Sequence, residues 1–285
     1  MPHITTPDGT RLYVEEAGQG VPIVFIHEYA GDFRTWEPQT RFFSRTHRCV
    51  TYSQRGYPPS DVPTDPTHYG QGFARDDVIA VMDALKIDKA HVVGHSMGAL
   101  TALLVGLNYP GRCLSITAAG CGYGSSPDAK VVEQTREASR QTGKVFQTED
   151  FKSAAARYAD GATRQTHKHK DSRGFAEFAQ MLSEHSPVGH ALTMLEVQAK
   201  RPSLWELEAQ LKAFALPLLV LVGDEDDWCV GSSIYLKRTV PTAGLCVIPR
   251  SGHTITSEEP AAFNAALADL IVNAESGRWM AHRGK

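Results

Sequence analysis

From the N-terminus to about Gly120, short apolar runs alternate with amphipathic stretches, and the two periods predict strands and helices in turn. Polar residues around Asp8-Gly9 predict a hairpin leading into Arg11 to Glu15. Apolar runs follow at Pro22 to His27, Cys49 to Ser53, His91 to Val93 and Cys113 to Ala119. Short apolar runs without polar alternation suit strands covered on both faces, which is the environment of a parallel sheet. Between these runs, Phe73 to Leu85 carries apolar residues at helical spacing. Ala99 to Leu107 reads as another helix, stopped by Asn108-Tyr109-Pro110-Gly111.

Strand signals vanish between Gly120 and Pro217. Helical periods replace them at Val131 to Gln141, Glu149 to Ala159, Phe175 to His185 and Ala191 to Lys200, and Ser203-Leu204-Trp205-Glu206 has the form of a capping box. The sheet resumes at Leu218 to Val222 and Leu245 to Pro249. A helix from about Glu258 to Val272 closes it, with Phe263, Leu267, Leu270 and Ile271 on one face. The polar, basic tail Ser276 to Lys285 is expected to be poorly ordered. The pattern predicts an α/β fold: a mostly parallel sheet flanked by helices, formed by residues 1–120 and 217–285, with a helical cap or lid inserted at 121–216.

The chemistry concentrates at Gly94-His95-Ser96-Met97-Gly98, between a strand and a helix. A turn this tight strains the serine backbone, and glycines on either side remove collisions with the neighbouring strand and helix. It would lift the Ser96 hydroxyl clear of the sheet and leave the Met97 N–H at a helix N-terminus. A serine needs a base to take its proton, so a histidine and a carboxylate are expected further along. Gly223-Asp224-Glu225-Asp226 and Ser251-Gly252-His253 follow the last two predicted strands and supply both.

The order Ser, Asp, His on strand ends resembles the α/β-hydrolase family over nearly the whole chain. So do Phe25-Ile26-His27 before a loop, the Gly-x-x-Asp run at Gly223 to Asp226, and Gly252-His253 followed by Glu258-Glu259-Pro260. The resemblance implies Ser96 as nucleophile, His253 as base and Asp226 as orienting acid, chosen among Asp224, Glu225, Asp226 and Asp227. It also implies an oxyanion hole from the backbone N–H groups of Tyr29 and Met97.

The loop His27-Glu28-Tyr29-Ala30-Gly31-Asp32 departs from the family's usual His-Gly pair. A carboxylate facing a developing oxyanion would be destabilising, so Glu28 is expected to turn away and form a structural ion pair with a group such as Arg55 or Arg34. Glu28, His95, Tyr123, Trp205 and Trp228 are candidate pocket residues, with packing as the competing role for His95 and Trp205. His27 reads as a structural histidine. The cluster Arg164, His167, Lys168, His169, Lys170 and Arg173 reads as a solvated basic loop.

Composition narrows the setting. A net charge of −3 gives no electrostatic reason to expect nucleic acid or an anionic membrane as partner. The five scattered cysteines suggest neither a disulfide framework nor a zinc site, and with no leader-like N-terminus they point to the cytoplasm. The expected activity is hydrolysis of a small carboxylic ester or lactone without cofactor or metal. Alternatives are carbon–carbon hydrolysis of ring-fission products, cofactor-free haloperoxidase or perhydrolase chemistry, and a ligand-binding receptor on the same fold.

Overall fold

The structure, a computed structural model, describes residues 2–280. Its strands are β1 (His3–Thr5), β2 (Arg11–Ala17), β3 (Pro22–Ile26), β4 (Arg48–Tyr52), β5 (Ala90–His95), β6 (Cys113–Ala119), β7 (Leu218–Gly223) and β8 (Ala243–Ile248). They form one sheet in the order β1-β2-β4-β3-β5-β6-β7-β8. The pairings β1–β2 and β2–β4 are antiparallel and the remainder parallel.

Helices α1 (Glu37–Phe43), α2 (Gln71–Ala84) and α3 (Met97–Asn108) belong to the N-terminal half. The insertion holds α4 (Ala129–Thr148), α5 (Phe151–Ala159), α6 (Gln165–Lys170), α7 (Ser172–Ser183), α8 (Pro187–Leu192) and α9 (Glu208–Lys212). After β7 come α10 (Asp227–Thr239), α11 (Ile255–Glu258) and α12 (Pro260–Glu275). No helix among the described residues is long and apolar enough to cross a membrane.

Successive strand residues point to opposite faces, so each central strand feeds two cores. On one face Val24, Ile26, Val92 and Ile116 pack with Val78 and Val81 of α2, Leu103 of α3 and Leu236 of α10. On the other, Ile23, Phe25, Val93 and Leu221 meet Phe43 of α1 and Phe263, Leu267 and Leu270 of α12. A third cluster joins the insertion to the edge of the sheet that carries Ser96. Phe146, Phe178, Leu182, Leu192 and Met194 pack there on Tyr29, Tyr57 and Met97.

Two expected boundaries shift. Leu204, Leu207, Leu211 and Phe214, within the predicted 121–216 insertion, pack into the main core beside α3. The capping box at Ser203 and Glu206 starts the single turn Leu204–Leu207 that leads into α9. At the C-terminus Trp279 docks on β8: its indole N–H donates to the Thr242 carbonyl at 2.8 Å, and its ring lies over Gly244. Residues 281–285 of the expected disordered tail lie outside the described residues.

Candidate active site

Ser96 sits between β5 and α3 with φ 53° and ψ −110°, a left-handed conformation that costs a non-glycine residue about 1–3 kcal/mol. The flanking glycines make the turn possible. A Cβ on Gly94 would lie 2.0 Å from the Gly98 carbonyl oxygen, and one on Gly98 would lie 2.2 Å from that of Ile26. This close approach sets the start of α3 against the end of β3. It brings the loop carrying Tyr29 beside Met97, the first residue of α3, whose N–H has no acceptor within the helix.

The turns after β7 and β8 converge on the same edge. The His253 Nε2 lies 2.8 Å from the Ser96 Oγ, and Nδ1 lies 2.7 Å from Asp226 Oδ2. Asp226 is buried, while Asp224, Glu225 and Asp227 are exposed, so only one of the four adjacent carboxylates faces the histidine. Burial pushes the Asp226 carboxyl up, but His253 more than offsets this and holds it below its ordinary value. Glu258 fixes the loop on both sides of His253, accepting from the Gly252 N–H at 2.8 Å and the Thr254 N–H at 3.1 Å.

His95 is fully buried and is not among the residues lining the cavity over Ser96. Its Nε2–H donates to the His253 carbonyl at 2.7 Å, and burial brings its pKa down to about 4, leaving it neutral at pH 7. It therefore steadies the backbone of His253 and is not pocket wall. His27 is structural as expected, with Nε2 accepting from the Gln54 N–H at 3.0 Å and Nδ1–H donating to the Glu28 carbonyl at 2.6 Å. Burial lowers its pKa to about 4.

Glu28 does not line the cavity that holds Ser96 and His253, and its partner is neither Arg55 nor Arg34. Arg55 binds Asp77 and Asp8, and Arg34 binds Asp32 and Glu184. Glu28 instead pairs with Arg164, and both side chains are almost completely buried. Burial pushes the Glu28 carboxyl up, yet Arg164, with His95 and His253 beyond it, pulls it down to about 2. The predicted basic loop therefore splits. Arg164 and His167 are interior, while Lys168 and Lys170 make surface pairs with Asp160 and Glu259.

A cavity of about 360 Å³ opens over Ser96 and His253 beneath the insertion. Tyr29, Tyr123, Tyr158, Met194 and Trp228 form part of its wall. Of the five side chains expected there, Tyr123 and Trp228 are present; Glu28, His95 and Trp205 are not. Trp205 stacks on Tyr235 of α10, with ring centroids 3.9 Å apart, because its segment joins the main core. Sequence reasoning missed Arg201 and Tyr158, which also face the cavity. Neither lies in a recognisable motif, and only the folded insertion brings them over Ser96.

One group among the described residues has the composition of a metal site: Asp226, Cys229 and His253, with ligating atoms within 4.8 Å of one another. Asp226 and His253 are already bound to each other, and burial pushes the Cys229 thiol well above its ordinary range, which disfavours the thiolate a metal needs. The set does not fit a resident metal.

The arrangement can deprotonate a hydroxyl at the N-terminus of a helix, and comparison with known proteins agrees in kind. A family model described as the alpha/beta hydrolase fold matches residues 21–260. The 3-oxoadipate enol-lactonase 1 of Acinetobacter baylyi is 41% identical over 118 residues, covering 41% of this chain and 43% of that protein. The 2-hydroxy-6-oxo-6-phenylhexa-2,4-dienoate hydrolase of Burkholderia cepacia is 26% identical over 281 residues, 92% of each chain. Among solved structures, Est816, an N-acyl homoserine lactone degrading enzyme, superposes with a TM-score of 0.75 at 29% identity, covering 94% of this chain and 99% of that one.

Proposed function

Because the chain belongs to the alpha/beta hydrolase fold family, we propose that it is a serine hydrolase cleaving a small carboxylic ester or lactone through an acyl-enzyme. One observation carries this reading: the continuous chain Ser96 Oγ, His253 Nε2, His253 Nδ1, Asp226 Oδ2, with links of 2.8 and 2.7 Å, opening into a cavity.

The steps follow from that geometry. His253 Nε2 takes the Ser96 proton as Oγ attacks the carbonyl carbon, while Asp226 accepts from Nδ1–H and stabilises the imidazolium. The Tyr29 and Met97 N–H groups receive the developing oxyanion. The tetrahedral intermediate collapses, the carbon–oxygen bond to the alcohol breaks, and His253 protonates that oxygen. Water then attacks the acyl carbon as His253 takes its proton; Ser96 Oγ leaves and recovers a proton from His253, releasing the acid. In a lactone the alcohol stays tethered through the first half. The inserted segment up to Arg201, whose residues Tyr123 to Arg201 supply much of the cavity wall, acts as a cap that limits water and shapes the acyl pocket. The free thiols, four of them buried, support a reducing, cytoplasmic setting.

The relative of Burkholderia cepacia favours a second reading, carbon–carbon hydrolysis of a ring-fission product with the same residues. A panel of chromogenic esters of increasing acyl length, a set of lactones and a ring-fission diketone, each with wild type and Ser96→Ala, separates the two. Ser96-dependent ester or lactone cleavage is expected. Turnover by Ser96→Ala at the wild-type rate overturns both readings, and cleavage of the diketone alone selects the second.

A further inference from the structure

Three arginines, Arg157, Arg164 and Arg201, line the cavity over Ser96, and no aspartate or glutamate does so among the described residues. Two have carboxylate partners: Arg157 pairs with Glu149 at the surface and Arg164 with Glu28 inside. Arg201 has none among the described residues. Its Nη1 donates to Gln198 Oε1 at 2.7 Å and its Nη2 to the Tyr123 carbonyl, with the guanidinium 5.5 Å from the Tyr123 ring centroid. A guanidinium has five N–H donors in a planar fork, so three remain uncommitted to the protein.

A partly buried cation with neutral partners is costly unless something offsets it. The electrostatics set Arg201 apart from its neighbours. Burial pulls it below the ordinary arginine value, whereas Arg164, more completely enclosed, is carried above it by Glu28. The Tyr123 ring and Gln198 fix the plane of the fork while leaving donors free, which is the preorganisation that bidentate carboxylate binding needs. Gln198 lies in the π-helical turn Thr193–Gln198 that continues α8, and both Gln198 and Met194 of this turn reach the cavity wall. Irregular turns of this kind often re-aim side chains at functional sites.

We infer that Arg201 is the anion-binding group of this pocket, and that the substrate is an ester or lactone bearing a free carboxylate in addition to its scissile carbonyl. This rests on the hydrolase reading of Ser96. Neutral esters reach the same serine without the Arg201 contact, so the carboxylate acts chiefly through KM.

The test compares mono-p-nitrophenyl adipate with p-nitrophenyl hexanoate, which match in chain length and differ in the terminal charge. Wild type should favour the anionic ester by roughly 10–100-fold in kcat/KM, the range for a charge-assisted contact. Arg201→Gln should bring that ratio close to one through KM, and Arg201→Lys should restore part of it. A second readout does not depend on ester chemistry: adipate should raise the Tm of Ser96→Ala, adipamide should not, and Arg201→Gln in that background should remove the rise. Equal rates on both esters in wild type, or an Arg201→Gln loss that falls equally on both, overturns the inference. If the folded protein cleaves neither ester, the lactone and diketone panel decides the hydrolase reading and the adipate shift alone decides Arg201. If Arg201→Gln does not fold, the wild-type ester ratio and the contrast between adipate and adipamide decide it.

Discussion

Replacing Glu28 by glutamine keeps the shape of the side chain and removes its charge, leaving Arg164 buried with no carboxylate beside it. Arg164 is 2% exposed, and Glu28 is its only ion-pair partner among the described residues. Removing one member of a buried pair costs about 3–5 kcal/mol. The carboxyl gives a similar figure. It is held at about 2 against an ordinary 4.5, and at about 1.4 kcal/mol per pH unit this corresponds to about 3 kcal/mol. At about 2.1 cal/mol/K per residue, the unfolding entropy of this 285-residue chain is about 0.6 kcal/mol/K, so the loss should lower Tm by about 5–8 °C at pH 7.

The pH dependence follows from the direction of the displacement. Because the folded carboxyl lies below the unfolded one, the pair contributes fully above about pH 4.5 and progressively less as pH falls toward 2. Thermal unfolding followed by circular dichroism, for wild type and Glu28→Gln at pH 7 and pH 3, should show the gap narrowing to about half at the lower pH. The double variant Glu28→Gln with Arg164→Met should recover much of the loss, since it strands no charge. A gap below about 1 °C at pH 7, or one independent of pH, would refute the reasoning.

Other expectations are more local. Asp226→Asn should leave the fold intact and lower kcat about 10⁴-fold, because an amide cannot hold the His253 tautomer; steady-state kinetics on the best ester reads this. Gly98→Ala should prevent folding or cost well over 3 kcal/mol, since its Cβ would sit 2.2 Å from the Ile26 carbonyl oxygen, and urea unfolding measures the loss. Cys229 is fully buried and its thiol is pushed far up by burial, so it should resist thiol reagents at pH 7 in the native protein and react only in urea, with mass spectrometry locating the label.

The parallel sheet and the serine turn were legible from the chain because both are local. Apolar runs such as Pro22 to His27 and Leu218 to Val222 can satisfy their backbones and bury both faces only as central strands. Gly94 and Gly98 are needed wherever a strand turns into a helix this tightly, and the contacts their Cβ atoms would make show why. The position of His253 and Asp226 after successive strands was likewise visible, since parallel strands deliver their ends to one edge.

Tertiary structure alone decided the rest, for a physical reason. Which arginine meets Glu28 depends on how the insertion folds back across 136 residues of sequence, and neither charge pattern nor spacing carries that information. Arg164 looked like part of a solvated basic run because Lys168 and Lys170 are; inside the fold it meets Phe178 of the next helix but one and Glu28, 136 residues back in the chain. Trp205, an aromatic in a capping-box turn, went to the main core because Tyr235 offers it a stacking face. Arg201 became a pocket residue only when the turn after α8 set it beside Tyr123. Short-range chemistry fixes backbone conformation and the succession of strands and helices along the chain, whereas long-range packing determines which charges are paired and which arginine lines the cavity without a carboxylate partner.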